Sequence, residues 1–231
     1  MRSEVLLLPS RPRLDSYDLV IIIDTLRATT VISRAICEGA MGVYPAISIP
    51  RAKSLKKIIP NSVLAGERKA FKINGFDLGN SPSEFTVESV GGKNVIITTT
   101  NGTKAVERYK GYGAVVAMAL SNLRAIYEYS KNFNSLLIVC AGSHGEVSLE
   151  DTYTAGRFLN LFDMVGLNDG GIIAREIARE DPAKILKTSR HGRYLSEIGM
   201  YSDIEESLIE NDVVPILKTD LNNINFFGGA R

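Results

Sequence analysis

Among the residues of this chain, Asp24 has the surroundings best suited to chemistry. It ends the apolar run Leu19-Val20-Ile21-Ile22-Ile23 and is followed by Thr25-Leu26-Arg27-Ala28-Thr29-Thr30, which reads as the entry to a helix. A carboxylate at such a junction can hold Mg2+, an ion that favours one or two carboxylates plus substrate oxygens, or it can attack phosphorus itself. The bland alternative is an Asp that only accepts turn N–H groups. Arg27 offers a planar fork of donors matched to phosphate or carboxylate. Two further apolar runs stop in the same way. Val95-Ile96-Ile97 runs into Thr98-Thr99-Thr100-Asn101-Gly102-Thr103, and Leu136-Leu137-Ile138-Val139 into Cys140-Ala141-Gly142-Ser143-His144. Gly102 lets backbone approach a ligand closely while Asn101 and Thr103 add donors, although Asn-Gly also suits a hairpin turn. Helix N-termini carry unpaired N–H groups and partial positive charge, so the expected ligand is an anion such as a phosphate ester.

Other residues have weaker claims. Glu67 and Arg68 follow Val63-Leu64 in Ala65-Gly66-Glu67-Arg68 and could supply a second metal ligand and an anion contact, or be an ordinary surface pair. Asp151 could bind metal, or it could simply lie in the first turn of a helix opened by Ser148 in a capping box. Cys140 at a strand end suggests a thiolate nucleophile, but the Arg that tyrosine-phosphatase chemistry needs six positions on is Glu146. In haloacid-dehalogenase-type phosphatases a second Asp follows the nucleophile by two positions; here that position is Leu26. Arg190-His191-Gly192 matches the histidine-phosphatase triplet but comes late, in a helical region, and reads as coincidence with His191 lining a cleft. Walker A, GxGxxG, HExxH and GxSxG patterns are absent.

The elements that must position these residues are strands alternating with helices. Continuous apolar runs are the mark of buried parallel strands, and ligands bind beyond the carboxyl ends of such strands in open α/β sheets. Val5-Leu6-Leu7-Leu8 reads as a first strand. Thr29 or Thr30 is expected to cap the first helix and Thr103 the corresponding later one. The chain also resembles itself weakly at an offset of roughly 71 to 76 residues, over 18–90 and 93–165. Two similar βαβαβ halves in a single domain spanning 1–231 would then build a parallel or mixed sheet covered by helices on both faces, a three-layer α/β/α fold. The segment 169–210 reads as helices broken at Pro182, Gly192 and Gly199. Val213–Leu217 reads as an edge strand because of Pro215, and the Phe226–Arg231 tail as frayed or docked on a neighbour.

Composition narrows the function. Lys and Arg number 27 against 26 Asp and Glu, a net charge of +1, too even for a nucleic-acid surface. Cys37 and Cys140 form neither a zinc motif nor a disulfide framework, which fits a cytoplasmic location. The apolar stretch near the N-terminus is too short for a signal-peptide core or a membrane span. The expected partner is a small molecule, with no nucleic acid and no membrane; assembly into a homo-oligomer is left open.

Taken together, Asp24-x-Leu26-Arg27-Ala28-Thr29-Thr30, Gly66-Glu67-Arg68, Gly75-Phe76-Asp77-Leu78-Gly79-Asn80-Ser81-Pro82, Thr98-Thr99-Thr100-Asn101-Gly102-Thr103, Cys140-Ala141-Gly142 and Glu150-Asp151 resemble the 2-phosphosulfolactate phosphatase (ComB) family. Ser189-x-His191-Gly192-x-x-Leu195 extends the likeness. The resemblance implies an Mg2+-dependent phosphatase of α/β/α architecture that converts 2-phosphosulfolactate, or a related 2-hydroxy acid phosphate ester, to sulfolactate and phosphate on the route to coenzyme M. On that reading Asp24 and Arg27 are catalytic and Asp24, Glu67 and Asp151 surround the metal. Thr29, Thr30, Arg68, Asn101, Gly102 and Thr103 contact the substrate. The rival from another class is a binder of phosphorylated metabolites that performs no turnover.

Overall fold

The structure, a computed structural model, describes residues 2–162 and 166–230. In chain order its elements are β1 (Arg2–Leu6), β2 (Leu19–Ile23), α1 (Ala28–Cys37), β3 (Gly42–Pro45), α2 (Ile49–Lys56), β4 (Ser62–Arg68), β5 (Phe71–Lys72), α3 (Val87–Val90), β6 (Asn94–Thr98), α4 (Gly102–Tyr109), β7 (Ala114–Met118), α5 (Leu123–Ser130), β8 (Ser135–Cys140), α6 (Leu149–Leu159), α7 (Asp169–Ile177), α8 (Pro182–Thr188), α9 (Arg190–Glu197), α10 (Ser202–Glu206), β9 (Val214–Thr219) and β10 (Asn225–Ala230). The fold is α/β, with one mixed ten-stranded sheet in the order β1-β8-β2-β7-β9-β10-β3-β6-β4-β5.

The order of elements β2-α1-β3-α2-β4 recurs as β6-α4-β7-α5-β8. In space the two halves exchange their first strands: β2 pairs in parallel with β7 and β8, whereas β6 pairs in parallel with β3 and β4. The β9–β10 hairpin joins the two blocks through antiparallel pairs, so the blocks run in opposite directions. In a flat sheet their carboxyl ends would lie at opposite edges. Twist of roughly 20–25° per strand accumulates over the five steps from β2 to β6 and swings both ends toward one side.

Burial follows the strand period of two. Val20 and Ile22 of β2 join a core with Val31, Ile32 and Ala35 of α1, Val106 and Tyr109 of α4 and Phe227 of β10. Leu19, Ile21 and Ile23 face the other way, onto Ile126 of α5 and Ala155, Phe158 and Leu159 of α6. The β3-β6-β4 block has its own outer layer in α2, whose Ala52 and Leu55 meet Tyr44, Leu64 and Ile96. Helices on both faces make the three layers. Each fully buried Val, Leu or Ile contributes roughly 1.5–3 kcal/mol, and β2 is buried along its whole length.

Several local expectations are corrected. β9 is central, not an edge: its junction with β7 is a single residue pair at Ile216, so Pro215 removes little of the ladder. The tail does not fray or dock elsewhere, because 225–230 form β10 beside it; position 231 lies outside the described residues. Thr29, Thr30 and Thr103 lie inside the first turns instead of capping them. Their hydroxyls bond back to the carbonyl oxygens of Asp24, Thr25 and Thr99. Pro182 opens α8, and Gly192 lies within α9, where a Cβ would meet the Leu186 carbonyl oxygen at 1.7 Å.

Candidate active site

Asp24 sits where the two blocks meet. Its backbone carbonyl receives the Thr29 N–H, and its Oδ1 accepts from the Ala28 N–H of α1 at 3.3 Å. The Gly102 N–H at the start of α4 also lies near enough to the carboxylate to favour its charged form. One carboxylate therefore serves the positive ends of two helices, one from each half. Gly102 is what permits this approach: a Cβ there would stand 2.8 Å from Asp24 Oδ2 and 2.7 Å from the Ala28 Cβ. The bonds favour the anion, but burial and the nearby Glu67 and Glu150 oppose it more strongly and raise the pKa from its ordinary 3.8 to about 7.

Asp24, Glu67, Glu150 and Asp151 line one pocket. All four are buried. Glu67, at the end of β4, accepts from the Thr100 N–H and hydroxyl through Oε1 and from the Ala70 N–H through Oε2, each at 2.9 Å. It thus ties the loop after β6 to the β4–β5 hairpin. Asp151 accepts from the Thr25 N–H at 2.8 Å and the Gly142 N–H at 3.2 Å, clamping the loops after β2 and β8. Ser148 does cap α6, through the Asp151 N–H at 3.2 Å. The Asp151 carboxylate, however, is spent on the neighbouring loops rather than on a reciprocal capping box. Burial, with Asp24 and Glu150 beside it, pushes Asp151 up; Glu150 is raised chiefly by burial.

Lys69, Asn80, Asn101, His191 and Tyr194 line the same pocket. Burial and the nearby Arg27 lower His191 from 6.5 to about 4, so its ring is neutral at physiological pH. Arg27 lines the pocket, but its guanidinium is already held: Nη1 pairs with Asp203 of α10 and Nη2 donates to the Ala70 carbonyl at 2.7 Å. The other oxygen of Asp203 receives the Ser81 hydroxyl.

The positions expected from sequence separate into two groups. Asp24, Arg27, Glu67, Asn101 and Asp151 share the pocket. Thr29, Thr30, Gly102 and Thr103 lie behind its lining, where they shape the loops, and the Thr103 N–H bonds to Thr99 Oγ1. Arg68 also lies off the lining, bound to the Thr98 carbonyl at 3.3 Å and hydroxyl at 3.1 Å. Cys140 is buried, and burial with Asp151 beside it holds its thiol well above the usual range. Glu150, Lys69, Asn80 and Tyr194 were not singled out from sequence. Glu150 and Asn80 stood inside the Glu150-Asp151 and GFDLGNSP strings, while Lys69 and Tyr194 gave no local signal. His191 does line the cleft.

Among the described residues, no three acidic, histidine or cysteine side chains stand close enough to ligate one ion by themselves. Mg2+ asks for less, one or two carboxylates with the rest from water and substrate phosphate. The donor set here is all hard oxygen and unneutralised, so it fits that ion. No helix of the described residues is long and apolar enough to cross a membrane.

Fold and pocket define an α/β enzyme with a buried acidic centre beyond its strand ends, and comparison with known proteins gives its class as a phosphoric monoester hydrolase. The family model described as 2-phosphosulpholactate phosphatase matches residues 7–220. Proteins named probable 2-phosphosulfolactate phosphatase are similar along nearly their whole lengths. The one from Thermotoga petrophila is 38% identical over 207 residues, covering 88% of this chain and 89% of the relative. That from Carboxydothermus hydrogenoformans is 36% identical over 222 residues, 93% and 92% of the two chains. That from Deinococcus radiodurans is 38% identical over 215 residues, 89% and 88%. The chain belongs to the 2-phosphosulfolactate phosphatase family.

Proposed function

We propose that the protein hydrolyses 2-phosphosulfolactate, or a closely related 2-hydroxy acid phosphate ester, to sulfolactate and phosphate with the help of Mg2+, in the cytoplasm and on the route to coenzyme M. The observation that carries this reading is the pocket itself: four buried carboxyl groups share it with neutral and cationic donors at the junction of the two strand blocks. A phosphate dianion cannot enter beside several carboxylates unless a cation offsets them. Asp24 and Asp151, with Glu67 at the edge, would hold the ion, which when bound supplies positive charge to the phosphoryl oxygens.

The chain's own residues do the remaining work. The Asn101 amide lines the pocket where the phosphoryl group belongs and donates to it. His191 and Tyr194 of α9 line the pocket, where with substrate bound they would limit entry of water. Neutral His191 accepts a hydrogen bond without adding charge. In the net reaction water oxygen joins phosphorus, the bond from phosphorus to the C2 oxygen breaks, and that oxygen leaves with a proton. The test is phosphate release from 2-phosphosulfolactate by purified protein with Mg2+ or EDTA, for wild type and Asp24→Asn. Release should need Mg2+ and fall at least about 1,000-fold in the variant. Unaltered release by a folded Asp24→Asn protein would sink the assignment.

A further inference from the structure

Two observations single out one side of the pocket. Among the described residues only four buried side-chain polar atoms lack a partner, and two of them, Arg27 Nε and Asn80 Oδ1, belong to residues that line this pocket. Asn80 is 4% exposed and its amide makes no hydrogen bond within the protein. A buried amide left unbonded is costly, so these atoms mark a place where something else is expected to bond.

The second observation is backbone conformation. Five of the described non-glycine residues have positive φ; Asn61 and Asn223 are of the type that tolerates it, and the other three, Lys69, Ala70 and His144, all line the pocket. Lys69 and Ala70, at φ 53° and 67°, form the two-residue tip of the β4–β5 hairpin, a place that favours Asn-Gly. The tip is fixed from three directions. The Ala70 N–H donates to Glu67 at 2.9 Å, the Ala70 carbonyl accepts from Arg27 at 2.7 Å, and the Lys69 carbonyl accepts from the Tyr194 hydroxyl at 3.1 Å. A turn of unsuited residues held so firmly points to a role for the side chain it displays. Lys69 is an exposed cation at the mouth of the pocket, unlike Arg27 and Arg68, whose guanidinium groups are engaged.

We propose that Lys69, the Asn80 amide and Arg27 Nε–H form a subsite for the sulfonate of the substrate. The inference rests on the proposed function for the identity of the ester. A sulfonate presents three acceptor oxygens, which suits the Arg27 Nε–H and one mobile ammonium at the rim, with the unbonded Asn80 amide free to turn its Nδ2 end to the anion in place of Oδ1. Asp203 is then a positioning residue, because it holds the Arg27 guanidinium by Nη1 while Nε is left without a partner.

Binding of the products separates this inference from the reaction. By calorimetry in Mg2+, wild type should bind sulfolactate at least tenfold more tightly than lactate, which lacks the sulfonate. Lys69→Ala and Asn80→Ala should each erase most of that preference, and Lys69→Arg should keep it. For turnover, the ratio of kcat/KM for 2-phosphosulfolactate over 2-phospholactate should fall tenfold or more in Lys69→Ala. No sulfonate preference in wild type, or a preference that survives both alanine variants, overturns the subsite even if the esters are hydrolysed. A preference lost in the variants, in a protein that releases no phosphate, keeps the subsite and removes the proposed reaction. Lys69 is exposed, so its variants are expected to fold; Asn80→Asp, which sets a carboxylate against the sulfonate, should weaken sulfolactate further still.

Discussion

The loops after β2 and β6 hold equivalent places in the two interlocked halves, yet their chemistry differs. The first is Asp24-Thr25-Leu26-Arg27, buried and charged; the second is Thr99-Thr100-Asn101, neutral and partly exposed toward the pocket. Both lead into a helix, and both keep a threonine bonded back to the strand end, Thr29 to Asp24 and Thr103 to Thr99. The scaffold is thus repeated while the reactive groups are not. A near-symmetric frame brings two strand ends together, and an unsymmetrical choice of residues turns their junction into a site for a ligand with unlike ends.

The contrast can be broken most severely at its ionic anchor. Asp203→Ala leaves the buried Arg27 guanidinium without its partner and should cost about 3–5 kcal/mol in urea unfolding. Thr99→Ala, which removes one neutral bond to the Thr103 N–H in the other loop, should cost about 1 kcal/mol. Equal losses would show that the two loops are energetically alike after all.

A smaller effect, with the opposite sign, is expected at Asp24. Its pKa is raised from 3.8 to about 7 in the folded state, so folding takes up protons. Stability from this group is full below pH 3.8 and is lost as pH rises through 7. In EDTA, Asp24→Asn should therefore unfold later than wild type at pH 8, by about 2–4 kcal/mol, with the gap closing near pH 4. A variant less stable than wild type at pH 8 would show that the two helix N-termini outweigh burial. The smallest change is expected from Arg68→Ala, which should alter kcat/KM for the ester less than about threefold, because its guanidinium is bound to Thr98 off the pocket.

Much of this was legible from residue order. Apolar runs of three to five residues read as buried strands, and the polar residues that stop them had to lie at strand ends. The offset between halves was legible too, since Gly and Thr recur where helices stop and start. What could not be read was the exchange of β2 and β6, because parallel pairing leaves no trace in either strand's composition. Arg27 looked like a free anion clamp; its partner Asp203 lies 176 residues away. Asn101-Gly102-Thr103 looked like an open cradle, but Gly102 is packed against the Asp24 carboxylate and the Thr103 N–H is used by Thr99. Pro215 misled because a rule about ladders assumes long ones, and the β7–β9 junction is a single pair.

The β9–β10 hairpin that bridges the two parallel blocks is read out after every other strand of the sheet. A growing chain can therefore complete the β3-β6-β4-β5 block once β6 has emerged and the β1-β8-β2-β7 block only after β8, and it cannot lock the blocks to each other until β10 is free of the ribosome. Until then the apolar floor under α1 and α4 is incomplete, since Phe227 is part of the core they share. Catalytic competence is consequently a late event in biosynthesis, and a nick or frameshift close to the carboxyl end would cripple an active centre whose acids all precede residue 152.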